Sequence, residues 1–245
     1  MRARMMAAVT MTQSRYTVED QERMSRARNY FAWQARLVRG ELGRRVIEVG
    51  CGCGNFTAAL LDREAVIAVD IEPACIERLK RRFDGRANLH AFVCDVASSE
   101  FRSLARFRPD SCVCLNMLEH VADDCAALES MASVLTRGGA IALLVPAFPS
   151  LYGAIDRNLG HHRRYTRGAM RALAARAGLH LRRLHYVNAA GFFGWWTNAR
   201  ILKRQAQSER QIAVFDRYLV PLMAVAERVA PPPFGQSLLA VLERP

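Results

Sequence analysis

Between Leu151 and Tyr165 the chain collects Tyr152, Asp156, His161, His162, Arg163, Arg164 and Tyr165, a dense set of groups able to hold or move a proton. An imidazole titrates near neutrality, and a carboxylate on one ring nitrogen prepares the other to take a proton from a hydroxyl, amine or thiol. His161 or His162 is therefore expected to act as base, with Asp156 orienting the ring. Tyr152, Arg164 and Tyr165 are expected to hold the substrate. The same residues also suit a hydrogen-bonded loop that shapes a pocket without proton transfer.

A second set points to a bound nucleoside. The β-branched run Val46-Ile47-Glu48-Val49 breaks into Gly50-Cys51-Gly52-Cys53-Gly54, followed by a helical pattern to about Asp62. Alternating glycines let the backbone turn sharply and approach a ligand, and a helix start would aim unpaired N–H groups at the same place. About twenty residues on, Ala65-Val66-Ile67-Ala68-Val69 ends in Asp70, where nucleotide folds place a carboxylate on ribose hydroxyls. Another acid, Asp95, follows the run Leu89 to Cys94.

These stretches, with Asp110 to Val121, resemble in order the four motifs of class I S-adenosylmethionine-dependent methyltransferases, in the small-molecule (type 11/12-like) branch. The resemblance implies that Gly50 and Gly52 pack beside the methionine part of the cofactor, and that Asp70 binds its ribose. Asp95 and the backbone of Val96 would read the adenine, Asn116 would border the cofactor, and Glu48 would orient the loop. Cys51, Asn55, Ile71 and Met117 are expected to complete that site. S-adenosylhomocysteine would be the product. Asn116-Met117-Leu118-Glu119-His120-Val121 lacks the Asn-Pro-Pro-aromatic tetrapeptide of enzymes that methylate nucleobase amines, which argues against a nucleic-acid substrate. His120 is a further candidate base or gate. Gly160-His161-His162-Arg163-Arg164-Tyr165 resembles an element of a bacterial methyltransferase subgroup. Because the motifs report cofactor binding alone, a methyltransferase-like protein catalysing cyclisation in a natural-product pathway is the alternative. Methyl transfer to O, N or C of a natural product, saccharide or lipid precursor is the main expectation.

Such residues need a frame. Strand and helix patterns alternate from Val46 to Val145, which predicts a Rossmann-like, seven-stranded, mostly parallel sheet with helices on both faces. Residues 1–15 are expected to be a loose extension and 16–45 a helical cap, from which Tyr16, Tyr30 and Trp33 either reach the substrate or pack on the sheet. Residues 46–145 form the cofactor half and 146–245 the substrate half. The latter carries an insertion over 189–236 that is read as a lid or homodimer contact, with Trp195 and Trp196 offered to the substrate.

The 245 residues suit one α/β domain, and no apolar run is long enough to span a bilayer. All seven cysteines lie between Cys51 and Cys125 with no zinc-finger spacing, so no metal is expected, and free thiols favour the cytoplasm. The net charge of +12 is uneven: residues 146–211 hold twelve basic and two acidic groups. That segment is expected to face an anionic substrate, an anionic membrane surface in transient contact, or an acidic partner.

Overall fold

The computed structural model describes residues 18–201 and 208–245. Its centre is a seven-stranded sheet: β1 (Arg45–Val49), β2 (Ala65–Asp70), β3 (Leu89–Val93), β4 (Ser111–Leu115), β5 (Ala140–Pro146), β6 (His180–Val187) and β7 (Ser237–Glu243). The order is β3-β2-β1-β4-β5-β7-β6, and β7 alone runs antiparallel, paired with β5 on one side and β6 on the other.

Central strands are apolar on both faces because each face is covered. On one face Ile47, Cys112, Ile141 and Leu143 pack with Leu128, Met131, Met170 and Leu173. These come from α4 (Asp124–Val134) and α6 (Arg167–Arg176). The alternate residues Val46, Val66, Val113, Ala142 and Leu144 pack with Trp33, Val38, Val220 and Met223. Those belong to α2 (Arg28–Val38) and α9 (Val220–Val229).

Local chemistry starts the helices. Glu72 and Pro73 open α3 (Pro73–Arg82), the Glu72 side chain accepting from Ala74 N at 3.3 Å. Asp123 accepts from Ala126 N at 3.0 Å and Thr166 from Ala169 N at 3.1 Å, capping α4 and α6. The helix expected after the glycine turn is instead a short 3₁₀ turn, Thr57–Leu60. Asn88 Nδ2 donates to the carbonyls of Leu61 and Arg63 at 3.1 and 2.8 Å, holding the segment that leads into β2. Ser99–Phe107 is likewise a series of 3₁₀ turns.

The cap and the insertion meet. α1 (Val18–Met24) precedes α2; α5 (Ala154–Leu159) follows β5; α7 (Ala189–Trp196) and α8 (Glu209–Val214) lie in the insertion. The apolar pattern across Pro221 is split into α8, a π-helical turn Phe215–Leu219, and α9. Asp216 in that turn accepts from Tyr30 N at 2.8 Å, and Asn29 Nδ2 donates to the Asp216 carbonyl at 3.1 Å. Glu227 accepts from Asn188 N at 2.7 Å and from Trp33 Nε1 at 3.3 Å, tying α9 to both α7 and α2.

Much of the basic segment is paired within the fold. Arg163 bridges to Asp124 at 2.8 Å, Arg182 to Glu243 at 3.3 Å and Arg183 to Glu41 at 3.4 Å.

Candidate active site

The carboxyl ends of β1, β2, β3, β4 and β5 open on one cavity of about 860 Å³. Parallel strands place ligands at this edge because the turns that follow them are free to vary.

At the β1 end, Gly50 N and Cys51 N donate to the Val69 carbonyl at 2.9 and 3.0 Å, and Gly52 N donates to Asp70 Oδ2 at 2.8 Å. Gly50 has φ +79°, and a Cβ there would lie 2.6 Å from Met117 Cγ; at Gly52 a Cβ would meet Gln21 at the same distance. The turn is therefore a close-approach cradle that only glycine fits. Asp70 Oδ1 accepts from Glu72 N at 2.9 Å, which still leaves the carboxylate lone pairs for ribose hydroxyls. Asp95 and Val96 line the cavity from the β3 end, and Asn116 and Met117 from the β4 end. Asn116 sits at φ +53°, a conformation asparagine tolerates. Glu48, Cys51, Asn55 and Ile71 complete this wall. Burial pushes the Glu48 carboxyl up to about 8, against the Thr57 hydroxyl that donates to it at 2.6 Å. The cradle, the acid on β2 and the acid after β3 fit an adenosyl cofactor.

The opposite wall is polar. Asp156, fully buried, accepts from Arg164 Nε at 2.8 Å and Gly153 N at 2.9 Å, and pairs with His161 Nδ1 at 3.1 Å. Burial raises the Asp156 carboxyl, but the His161 bond and the Arg164 charge outweigh it and hold it below its ordinary value. His161 Nε2 then faces Glu119 Oε1 at 4.0 Å, and its ring meets His120 edge-on at 4.7 Å. Burial pushes the Glu119 carboxyl up to about 7, opposed by the His161 charge. Burial and the neighbouring His161 and His162 take His120 down to about 3, so its imidazole is neutral. The Arg164 guanidinium lies 4.7 Å from the centre of the Trp195 ring, and both line the cavity.

The structure divides the expected substrate residues. His120, His161, Arg164, Trp195 and Tyr30 line the cavity, and burial pushes the Tyr30 hydroxyl up to about 12, leaving it a proton donor. Asp156 stands behind His161. His162 is exposed and does not line the cavity; its backbone N–H donates to the Glu119 carbonyl at 2.8 Å. Tyr152 donates its hydroxyl to the His161 carbonyl and Tyr165 donates to Asp124, so both brace the loop and neither lines the cavity. Trp33 is buried against the sheet, and Trp196 is 45% exposed outside the cavity. Tyr16 lies outside the described residues.

Glu119, Gln21 and Gln34 line the cavity without having been expected there. For Glu119 the signal is an acid directly before His120 in an otherwise apolar stretch. Gln21 arrives on α1, whose carbonyl at that residue accepts from Asn55 Nδ2 at 2.8 Å.

Comparison with known proteins agrees with this geometry. The chain is 33% identical over 105 residues to a ubiquinone biosynthesis O-methyltransferase of Xanthomonas campestris pv. campestris, covering 41% of this chain and 42% of that one. It thus spans about two fifths of that relative's length. In fold it is similar to a chain from the complex of the Haloferax volcanii Trm112 methyltransferase activator with a methyltransferase, at TM-score 0.63 and 20% identity over 93% of this chain and 94% of the other. It is also similar to an S-adenosylmethionine-dependent methyltransferase of Mesorhizobium loti, at TM-score 0.58 and 15% identity over 88% of this chain and all of that one. The family model described as a methyltransferase domain matches residues 16–184. With more than half its length inside that family, the chain belongs to the methyltransferase-domain family.

Proposed function

We propose that this chain methylates a small-molecule acceptor, with a hydroxyl oxygen favoured over nitrogen or carbon. One observation carries the reading: the cofactor wall and the Glu119, His120 and His161 wall face each other across a single cavity. S-adenosylmethionine supplies an electrophilic methyl group when bound. Gly50 and Gly52 admit its methionine part, Asp70 takes the ribose, and Asp95 with Val96 takes the adenine. Glu119, His120 and His161 receive the nucleophilic group of the acceptor, Asp156 fixes the His161 ring, and Trp195 with Arg164 closes the far side. Positioning and exclusion of water are the main contributions a protein makes to such an in-line displacement. The name of the Xanthomonas campestris relative supports oxygen as the accepting atom.

A second reading, cyclisation in a natural-product pathway, is favoured by the acid and base groups of that wall, which exceed the needs of a displacement. Incubation with S-adenosylmethionine and a panel of phenolic and aliphatic hydroxyl compounds, followed by mass spectrometry, separates them. A product heavier by one methylene supports methyl transfer, and a rearranged product of unchanged mass supports the second reading.

Among the described residues no helix is long and apolar enough to cross a membrane. All seven cysteines are free, which supports a cytoplasmic location. The outer face of α9, with Leu222, Val225 and Val229 exposed, is the surface proposed for homodimer or transient membrane contact. Arg164 is the group proposed to meet an anionic acceptor.

A further inference from the structure

Three groups on the acceptor wall have lone pairs and nothing between them to share. Both oxygens of Glu119 are buried without a hydrogen-bond partner among the described residues, although the side chain is only 1% exposed. His161 Nδ1 pairs with the Asp156 carboxylate at 3.1 Å, and Nε2 is the ring atom turned toward Glu119. Glu119 Oε1 and His161 Nε2 stand 4.0 Å apart, and a tetrahedral ion with bonds of about 2.0 Å would hold two such atoms roughly 3.3 Å apart. A ligand atom of His120 completes the group, the three lying within 4.8 Å of one another.

We propose that Glu119, His120 and His161 bind a divalent transition cation of the zinc class, and that this cation coordinates the acceptor hydroxyl. Two imidazoles and one carboxylate are a donor set suited to such ions, and three protein ligands leave an open position for substrate. The carboxylate behind His161 is the support that metal-bound histidines usually have. Arg164, the nearest guanidinium, is paired with Asp156 at 2.8 Å, so its charge is met by a carboxylate outside the cluster. The ligand atoms must draw together by about 1 Å to reach bonding distance of a common ion, a side-chain adjustment. The open position faces the cavity that also holds Gly50, Asp70 and Asn116. A coordinated hydroxyl loses its proton to solvent more readily, as bound water does. No compact sequence motif announces the site, since its ligands are 119, 120 and 161. The role in acceptor activation rests on the methyl-transfer reading, whereas the binding of the cation does not.

The experiment is titration of Co²⁺ into chelator-treated full-length protein, followed by visible absorption and calorimetry, with S-adenosylhomocysteine titrated into the same preparations. Wild type is expected to bind one Co²⁺ with the weak visible bands of nitrogen and oxygen ligands. Glu119→Gln and His120→Ala are expected to lose at least tenfold in Co²⁺ affinity while keeping S-adenosylhomocysteine affinity, which also shows that they fold. Asp156→Asn should weaken Co²⁺ by about 10- to 100-fold through the His161 ring. Wild type that binds S-adenosylhomocysteine but no Co²⁺ overturns the cation site and leaves the methyltransferase reading standing. Co²⁺ binding unchanged in both variants, or carrying intense thiolate bands, also overturns it by placing the ion at the cysteines. Co²⁺ bound as expected without any S-adenosylhomocysteine binding supports the cation site and removes the cofactor reading instead.

Discussion

Nδ1 of His161 lies 3.1 Å from Oδ1 of Asp156, and this contact turns the other ring nitrogen toward Glu119 inside the cavity. The neighbouring imidazole, His162, is exposed. His161→Ala is therefore expected to lower kcat by about 10²- to 10⁴-fold at saturating cofactor, and His162→Ala to stay within about twofold. Equal rates for both variants and wild type would remove His161 from the chemistry.

The rim carboxylate of β2 predicts cofactor dependence. Asp70→Ala should weaken S-adenosylhomocysteine by about tenfold to a hundredfold, the worth of one or two hydrogen bonds to a charged group. Gly50→Ala should do at least as much, because its Cβ would press within 2.6 Å of Met117 at a φ of +79°. Calorimetric titration reads both.

Glu48 makes the cofactor-free protein sensitive to alkali. Its folded-state pKa of about 8 stands above the ordinary value of 4.5, so the folded state holds a proton that the unfolded chain has released over that interval. Stability is expected to fall as pH rises from about 4.5 to 8, by a few kcal/mol, and to level off above. Glu48→Gln should flatten that slope and raise the Tm at pH 9 relative to wild type. Thermal melts at pH 6 and pH 9 compare the two, and parallel pH profiles would contradict the assignment.

Asp216 joins the insertion to the start of α2, accepting from Tyr30 N at 2.8 Å. Asp216→Ala should cost about 1 kcal/mol of stability, as loss of a helix cap does, and should raise KM for the acceptor more than it lowers kcat. Urea melts and steady-state kinetics test the two halves separately. An unchanged KM would mean that the insertion does not shape the acceptor pocket.

The gathering of Gly50, Asp70 and Asp95 at one sheet edge was legible in the sequence because its information is local. Val46 to Gly54, Asp70 and Asp95 each stand at the end of an apolar run, and a parallel sheet brings strand ends to one edge without needing any long-range detail. Strand β4, the apolar run Ser111–Leu115 with a polar residue on either side, is equally local in its signal. The 3₁₀ turn at Thr57–Leu60 was not legible in its local pattern, and the residues just after it are held by Asn88, from the far side of β2.

The acceptor wall depended on tertiary structure. Residue types in Asp156 to Tyr165 announced acid and base chemistry, yet which histidine turns inward follows from the buried Asp156 and Arg164 pair, and Tyr165 is drawn off to Asp124 on α4. The basic excess of residues 146–211 suggested an anionic surface, but three of its arginines meet acids from distant parts of the chain. What the sequence by itself determined is the fold and the glycine turn proposed to cradle the adenosyl group, whose requirements of φ, strand ends and spacing are written in consecutive residues. Only the tertiary structure decided that Glu119, His120 and His161 share one point, because packing brings a loop after β4 against a loop after α5, and no local pattern encodes that meeting.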